Sequence, residues 1–282
     1  MSEQQFHEIG NKAGEIDVRV SYYIIKHFSD GLYSSPNKAV EELVSNAWDA
    51  GAEHVHVILP ADRDSADAQI VVIDDGCGMD EGGLRQHWLL GDSKKRLPNL
   101  KPPKGRKPIG KFGIGKLATY VLAHRLTHIT KSGGKFFSTS MDYHRIDEGA
   151  GDATTEKLIK LPLRELTEKE AEQAVKVWIT GKEEAFNVLK LFGHEAAASW
   201  TVAVMSELKA MAKELSPGRL RWVLETAMPL GNDFRLYLNG ERITSSKEKA
   251  TKLVLGYWGK ILALTRRLCQ NQHPTRLRRM KT

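Results

Sequence analysis

Residues 36–51 read PNKAVEELVSNAWDAG, and the preceding Tyr33-Ser34-Ser35 supplies a turn and cap signal ahead of Pro36. Ala39, Val40, Leu43, Val44, Ala47 and Trp48 fall at the i, i+1, i+4, i+5 spacing of a broad apolar face, and Gly51 stands where a C-terminal cap belongs. The spacing predicts a helix over 36–50. On its other side Glu42, Asn46 and Asp49 lie at i, i+4 and i+7, so a carboxylate, an amide and a second carboxylate share one stripe. Downstream, 54–59 alternates as a strand, 61–68 is a polar turn, and 69–73 is a β-branched run that reads as a buried strand. A helix followed by a hairpin sets the fold class.

Working outward, the second strand ends in Asp74-Asp75-Gly76-Cys77-Gly78-Met79, and a weak helix over 80–90 leads to Gly91-Asp92-Ser93-Lys94. Lys94 to Lys107 holds seven basic residues and no acid and, with Pro108, four prolines, the composition of a loop. Gly110-Lys111-Phe112-Gly113-Ile114-Gly115 opens an expected helix over 116–124, followed by strands near 126–131, 136–142 and 157–161. Residues 165–192 read as an inserted helix or helix pair, 200–205 as a strand, 208–215 as a short helix, and 234–238 as a strand closed by the turn Asn239-Gly240. Upstream of the first helix, 17–33 alternates without a clean period, and no internal repeat is visible.

The 282 residues are 41% hydrophobic and 27% charged, an ordinary globular composition that excludes wholesale disorder, collagen and a membrane bundle. No apolar run reaches the length of a spanning helix and the N-terminus is polar, so a cytosolic protein without a membrane span is expected. Cys77 and Cys269 form neither a metal-ligand spacing nor a disulfide framework. The net charge of +7 is unevenly placed: residues 247–282 carry ten basic groups against Glu248, which leaves 32 basic and 34 acidic groups in the rest. The basic signal therefore belongs to the C-terminal segment and the 94–107 loop, not to the body.

Three segments carry candidate chemistry. GKFGIGKL at 110–117 matches a P-loop up to its last position, where Leu117 replaces the hydroxyl that holds magnesium, and the Pro- and Lys-rich stretch before it is no buried strand. Gly110, Gly113 and Gly115 instead sit at a helix start, where free N–H groups and the helix dipole attract phosphate. Asp74 ends a buried strand, placed to accept a hydrogen bond from an exocyclic amine, and the glycines after it let backbone approach a flat ligand. Taken singly, the three segments read equally well as a solvated helix face, an Asp-capped turn and a flexible capped loop.

Together, Glu42-x-x-x-Asn46-x-x-Asp49-Ala50, Asp74-x-Gly76-x-Gly78 and Gly110-x-x-Gly113-x-Gly115 resemble, in order and spacing, the nucleotide-binding motifs of the GHKL ATPases, the superfamily of gyrase, the ninety-kilodalton heat-shock chaperone, histidine kinases and MutL. Ile109 to Gly115 is similar to the chaperone version, residues 31–36 resemble the MORC ATPases, and Ser93-Lys94 resembles a short polar motif between the second and third segments. The resemblance spans about 15–245 and implies a Bergerat ATP-binding fold, an α/β (α+β) two-layer sandwich whose mixed, largely antiparallel sheet carries helices on one face. It implies ATP and Mg2+ as cofactors, under a lid formed by 91–115. Glu42 would then be the general base that activates water, and Asn46 the magnesium ligand. Asp74 would receive the adenine amine, with Asp49, Gly76, Gly78 and Met79 supporting the adenine end. The amides of 113–116, covering Gly113, Ile114, Gly115 and Lys116, would cradle phosphate, with Ser93, Lys94, Lys111 and the Lys116 side chain as further partners. The strand threonine that helps hold adenine would be Thr201, although Trp200 stands where the family carries glycine.

Phosphotransfer by a histidine kinase needs an acceptor His on a helical hairpin, and only His7 and His27 precede Glu42. The expected activity is slow, magnesium-dependent ATP hydrolysis used as a conformational or dimerisation switch, with an ATP-dependent homodimer as partner state. The competing reading is an ATP-gated binding module with little turnover, acting on DNA or a protein partner. The expected division is an ATP-binding domain over 1–246 and a basic tail over 247–282. Leu253, Val254, Tyr257, Trp258, Ile261 and Leu262 form an amphipathic stripe in that tail, which on the resemblance would be the remnant of the transducer domain that follows the ATP domain in chaperone-like and MutL-like relatives, and its Arg and Lys groups suit nucleic-acid phosphates without sequence specificity.

Overall fold

Ser35 is extended (φ −132°, ψ 126°), Pro36 opens the helix α1 (Pro36–Asp49), and Gly51 beyond its end takes φ +76°. The amides of Ala50, Gly51 and Ala52 turn back onto the carbonyls of Asn46, Trp48 and Ala47, satisfying three of the last carbonyls of the helix. A computed structural model describes this and the rest of residues 10–19, 35–89, 103–110, 115–147, 158–179 and 190–245. The chain divides into two units, Met1–Ile243 and Thr244–Thr282. Of the second, only Thr244 and Ser245 are among the described residues, so the expected tail helix and transducer remnant lie outside them.

The strands are β1 (Asn11–Arg19), β2 (His54–Ile58), β3 (Ile70–Asp74), β4 (Ala123–Ser132), β5 (Lys135–Asp142), β6 (Leu158–Leu166), β7 (Trp200–Leu208), β8 (Arg235–Leu238) and β9 (Glu241–Ile243). They form one sheet in the order β1-β6-β5-β4-β7-β3-β2-β8-β9. Every neighbouring pair is antiparallel except β2 with β8. The helices α2 (Glu81–His87), α3 (His144–Asp147), α4 (Glu168–Ile179), α5 (Ala210–Lys213) and α6 (Pro217–Ala227) follow α1 in chain order.

Because side chains alternate across a strand, the sheet has two apolar faces. On one, Val55, Val57, Ile70, Val72, Leu126, Ala203 and Met205 pack with Ala39, Val40, Leu43, Val44 and Ala47 of α1 and with Leu220 and Leu224 of α6. On the other, Val71, Ile73, Ile129, Val202 and Val204 meet Ala171, Ala174, Val175 and Trp178 of α4. The expected mixed, largely antiparallel α/β sandwich is the observed one, with α4 adding cover on the second face.

Several boundaries differ from expectation. The helix expected over 116–124 is a 3-10 helix, Gly115–Val121, because Ala123 already pairs with Leu208 in the sheet and the chain must turn at Leu122 to reach it. Thr119, Tyr120 and Val121 are also weak α-formers. Within 165–192 the first two residues belong to β6, one helix runs over Glu168–Ile179, and 180–189 lie outside the described residues. Strand β7 extends to Leu208, shortening the following helix to Ala210–Lys213. Strand β1 begins earlier than the patternless 17–33 stretch suggested, and α6 and β9 were not anticipated.

Candidate nucleotide-binding site

Asp74 ends β3 directly opposite Thr201 on β7, and Thr201 in turn lies opposite Thr130 on β4. Three side chains distant in sequence thus form one row across three strands, on the face that carries α1. All three are buried. The neighbour that seemed to spoil the pattern, Trp200, points to the opposite face, where its Nε1 donates to the Leu191 carbonyl at 2.9 Å and its ring meets Phe136 and Phe192. Its bulk is therefore kept away from Thr201 by the strand period alone.

The turn after Asp74 is fastened on three sides. Cys77 N donates to the Ala50 carbonyl at the end of α1, Met79 N to Thr130 Oγ1 at 2.8 Å, and Ser199 Oγ to the Gly76 carbonyl at 2.7 Å. Gly78 has φ +62°, and a Cβ there would stand 2.0 Å from the Lys131 carbonyl oxygen, so only glycine lets the turn lie this close to β4. A Cβ on Gly76 would come within 2.7 Å of Asp74 Oδ1 and 2.8 Å of Ala50 Cβ.

The adjacent acids have different work. Asp75 accepts the amides of Glu53 and His54 at 2.7 and 2.8 Å and meets His54 Nδ1 at 2.8 Å, an arrangement that ties the turn to β2. Among the described residues, Asp74 receives only the Gly76 amide, at 2.9 Å. Burial of Asp74 pushes its pKa up to about 7; the Gly76 amide opposes this and the Asp75 charge adds to it. A buried carboxylate with so little internal compensation is suited to take a donor from a ligand.

Glu42, Asn46 and Asp49 are half-buried along α1. At 1.5 Å per residue, Glu42 stands roughly 10 Å along the helix from Asp49, whose end adjoins the Asp74 turn. The stripe thus leads from that turn toward a second, more distant position. Asp49 accepts the amides of Ile109 and Gly110 at 2.8 and 3.0 Å, so its carboxylate holds the start of the glycine segment. Of the third segment, Gly115 and Lys116 begin the 3-10 helix, while Lys111, Gly113 and Ile114, together with Ser93 and Lys94, lie outside the described residues.

Magnesium commonly takes one or two protein oxygens and completes its shell with water and phosphate. A single amide oxygen from Asn46, one turn beyond Glu42, suits that demand. Among the described residues no group of three or more His, Cys, Asp or Glu is arranged as a metal cage, and none of the helices is long and apolar enough to cross a membrane.

Thr130, Ser199 and Asp75 were not singled out from sequence. Thr130 sits in an ordinary β-branched strand and Ser199 in an irregular stretch, and only the assembled sheet brings them to the turn. Asp75 was quoted within the motif, but its division of labour with Asp74 rests on the partners the fold gives each, the Glu53 and His54 amides for Asp75 and the Gly76 amide for Asp74.

Residues 33–173, half of the chain, match the family model described as histidine kinase-, DNA gyrase B-, and HSP90-like ATPase. Among curated proteins, the putative type II restriction enzyme HgiDII of Herpetosiphon aurantiacus is 32% identical over 108 residues, 38% of this chain and 17% of that protein. Chaperone protein HtpG of Shewanella oneidensis is 28% identical over 181 residues, 57% of this chain and 26% of HtpG. The same chaperone from Shewanella loihica is 29% identical over 150 residues, 46% of this chain and 23% of its own length. The chain spans about a quarter or less of these relatives. With the ordered motifs, the sheet that joins them and the family match in agreement, the chain belongs to the histidine kinase-, DNA gyrase B-, and HSP90-like ATPase family, the GHKL superfamily, whose domain implies ATP binding.

Proposed function

We propose that this chain binds ATP with magnesium on the α1 face of its sheet and hydrolyses it slowly, the cycle serving as a conformational and dimerisation switch in the cytosol. The observation that carries the reading is the row of Asp74, Thr201 and Thr130 beside the Gly76–Gly78 turn, with a buried carboxylate on the α1 face. Asp74 accepts the adenine amine, and Gly76, Gly78 and Met79 bring backbone against the ring. Asn46 would hold magnesium, which would supply positive charge to offset that of the phosphates. Glu42, on the same stripe, orients the attacking water and takes its proton. Gly113, Ile114, Gly115 and Lys116 offer amides to the phosphates, with Ser93, Lys94 and Lys111 alongside. We assign residues 1–246 to this ATP-binding part and 247–282 to a basic appendage.

The test is calorimetry with ATP and a non-hydrolysable analogue in magnesium, run beside light scattering. Binding with doubled mass supports the switch, binding at constant mass leaves a partner-dependent ATPase, and no binding removes the reading. A second reading, an ATP-gated module with little turnover that acts on DNA or a protein, is favoured by the charge of the tail and by the similarity to a protein named as a restriction enzyme. Unmeasurable turnover with intact binding, and DNA affinity that changes with the analogue, would select it.

A further inference from the structure

The segment leading into the glycine motif is held by more than Asp49. The Arg106 guanidinium lies over the Trp48 ring at 4.5 Å from its centroid and over Phe234 at 5.9 Å, and those two rings meet edge to face at 5.2 Å. One Arg106 nitrogen donates to the Ala52 carbonyl and another to the Asp233 carbonyl. Trp48 Nε1 donates to the Lys107 carbonyl at 3.0 Å, and one residue on, Asp49 takes the amides of Ile109 and Gly110. A planar guanidinium can stack and reach two carbonyls at once, which a lysine ammonium cannot.

We propose that Trp48 and Arg106 are positioning residues: they clamp residues 106–110 to the end of α1 and thereby fix where the phosphate-binding glycine segment begins. The inference rests on the nucleotide reading of the same site and assigns it a part that the three motifs lack. Trp48 and Asp49 are neighbours on α1, the helix that also carries Glu42 and Asn46, so the clamp ties that stripe to Ile109 and Gly110, where the glycine segment starts. Arg106 touches no nucleotide in this scheme. Its charge is already engaged by the Trp48 ring and two carbonyls, and its effect on phosphate passes through Gly110.

The experiment uses the full chain and has two arms. In the nucleotide-free arm, amide deuterium exchange at Ile109 and Gly110 is expected to quicken about tenfold or more in Arg106→Ala and in Arg106→Lys; unchanged exchange in both variants overturns the clamp. In the second arm, calorimetry with magnesium compares adenosine with a non-hydrolysable ATP analogue. Both variants are expected to lose roughly tenfold or more in affinity for the analogue while adenosine binding stays within about twofold. Equal loss for both ligands overturns positioning in favour of general destabilisation. Analogue binding that Arg106→Lys retains in full overturns it in favour of a direct charge effect. A wild-type chain that binds neither ligand fails the nucleotide reading, and the exchange arm still decides the clamp. Lys213→Ala, which removes a surface pair with Asp64 at 2.7 Å, serves as the neutral control.

Discussion

Asp74 and Glu42 divide the proposed chemistry between recognition and turnover, and each makes its own prediction. Glu42→Ala removes a proton acceptor from the stripe on α1 without touching the Asp74 turn. ATP affinity is expected to hold while turnover falls by about 10²-fold or more, read by phosphate release beside calorimetry. Asp74 makes the site sensitive to pH. Its folded-state pKa of about 7 stands above the ordinary aspartate value of 3.8, so from near pH 4 to near pH 7 the nucleotide-free folded chain holds a proton that the unfolded chain has lost. The contribution of this group to stability is therefore greatest at low pH, falls across that window and is fully lost above it. In the proposed site the ionised form would accept the adenine amine, so binding is expected to strengthen by up to about tenfold per pH unit approaching pH 7 and to level off above it, with proton release below pH 7. Asp74→Asn is expected to abolish that pH dependence together with most of the affinity. Calorimetry in buffers of different ionisation enthalpy checks both statements.

At the scale of elements, the turn over 75–79 shows how narrow the tolerance is. Gly78→Ala would place a methyl group against the Lys131 carbonyl at a backbone angle that disfavours L residues. The variant is expected to lower the unfolding midpoint and to weaken nucleotide binding together, because Met79 N could no longer reach Thr130 without moving β4; thermal unfolding and analogue titration measure the two effects. What the sequence disclosed here follows its periodicities. Helix α1, strands β2 and β3 and the order of the motifs were legible because apolar spacing and glycine placement are local signals. Strand β1 was hidden by its charged residues and by a register shift between Lys12 and Gly14, as suits a strand at the sheet edge. Helix α6 did carry its signal, Ser216-Pro217 followed by Leu220 and Leu224 four apart, but exposed Trp222 and two arginines blurred its apolar face. The placement of Trp200 was recoverable from the period of two: in a strand, the residue before Thr201 must face the other side. The partners of the Asp74 turn were not recoverable, since nothing local marks Thr130 or Ser199.

At the largest scale, the sheet separates two cores, and Asp74, Thr130 and Thr201 lie on the α1 side. Helix α4 and the Trp200 cluster close the other side. A family match that covers half of the chain, beside relatives of which the matched parts are 17% and 26%, fits an engine used in different assemblies. In the proposed DNA-acting reading, the C-terminal basic segment is what meets the partner. Deleting 266–282 removes six of its ten basic residues, and affinity for DNA is expected to fall with a shallower salt dependence; an unaltered salt slope, measured by fluorescence anisotropy, would refute a tail contact with phosphates.

The row formed by Asp74, Thr130 and Thr201 also ties recognition to the time course of folding. Its members come from strands 56 and 71 residues apart along the chain. Contacts of such sequence separation pay a large loop-closure cost and tend to form late. A chain emerging from synthesis has α1 and the β2–β3 hairpin long before β7 exists to complete the row. Nucleotide would then find its base contact only on a finished sheet, so recovery of binding during refolding should trail recovery of helical signal, and ligand in the medium would reward completion of the fold without guiding its start.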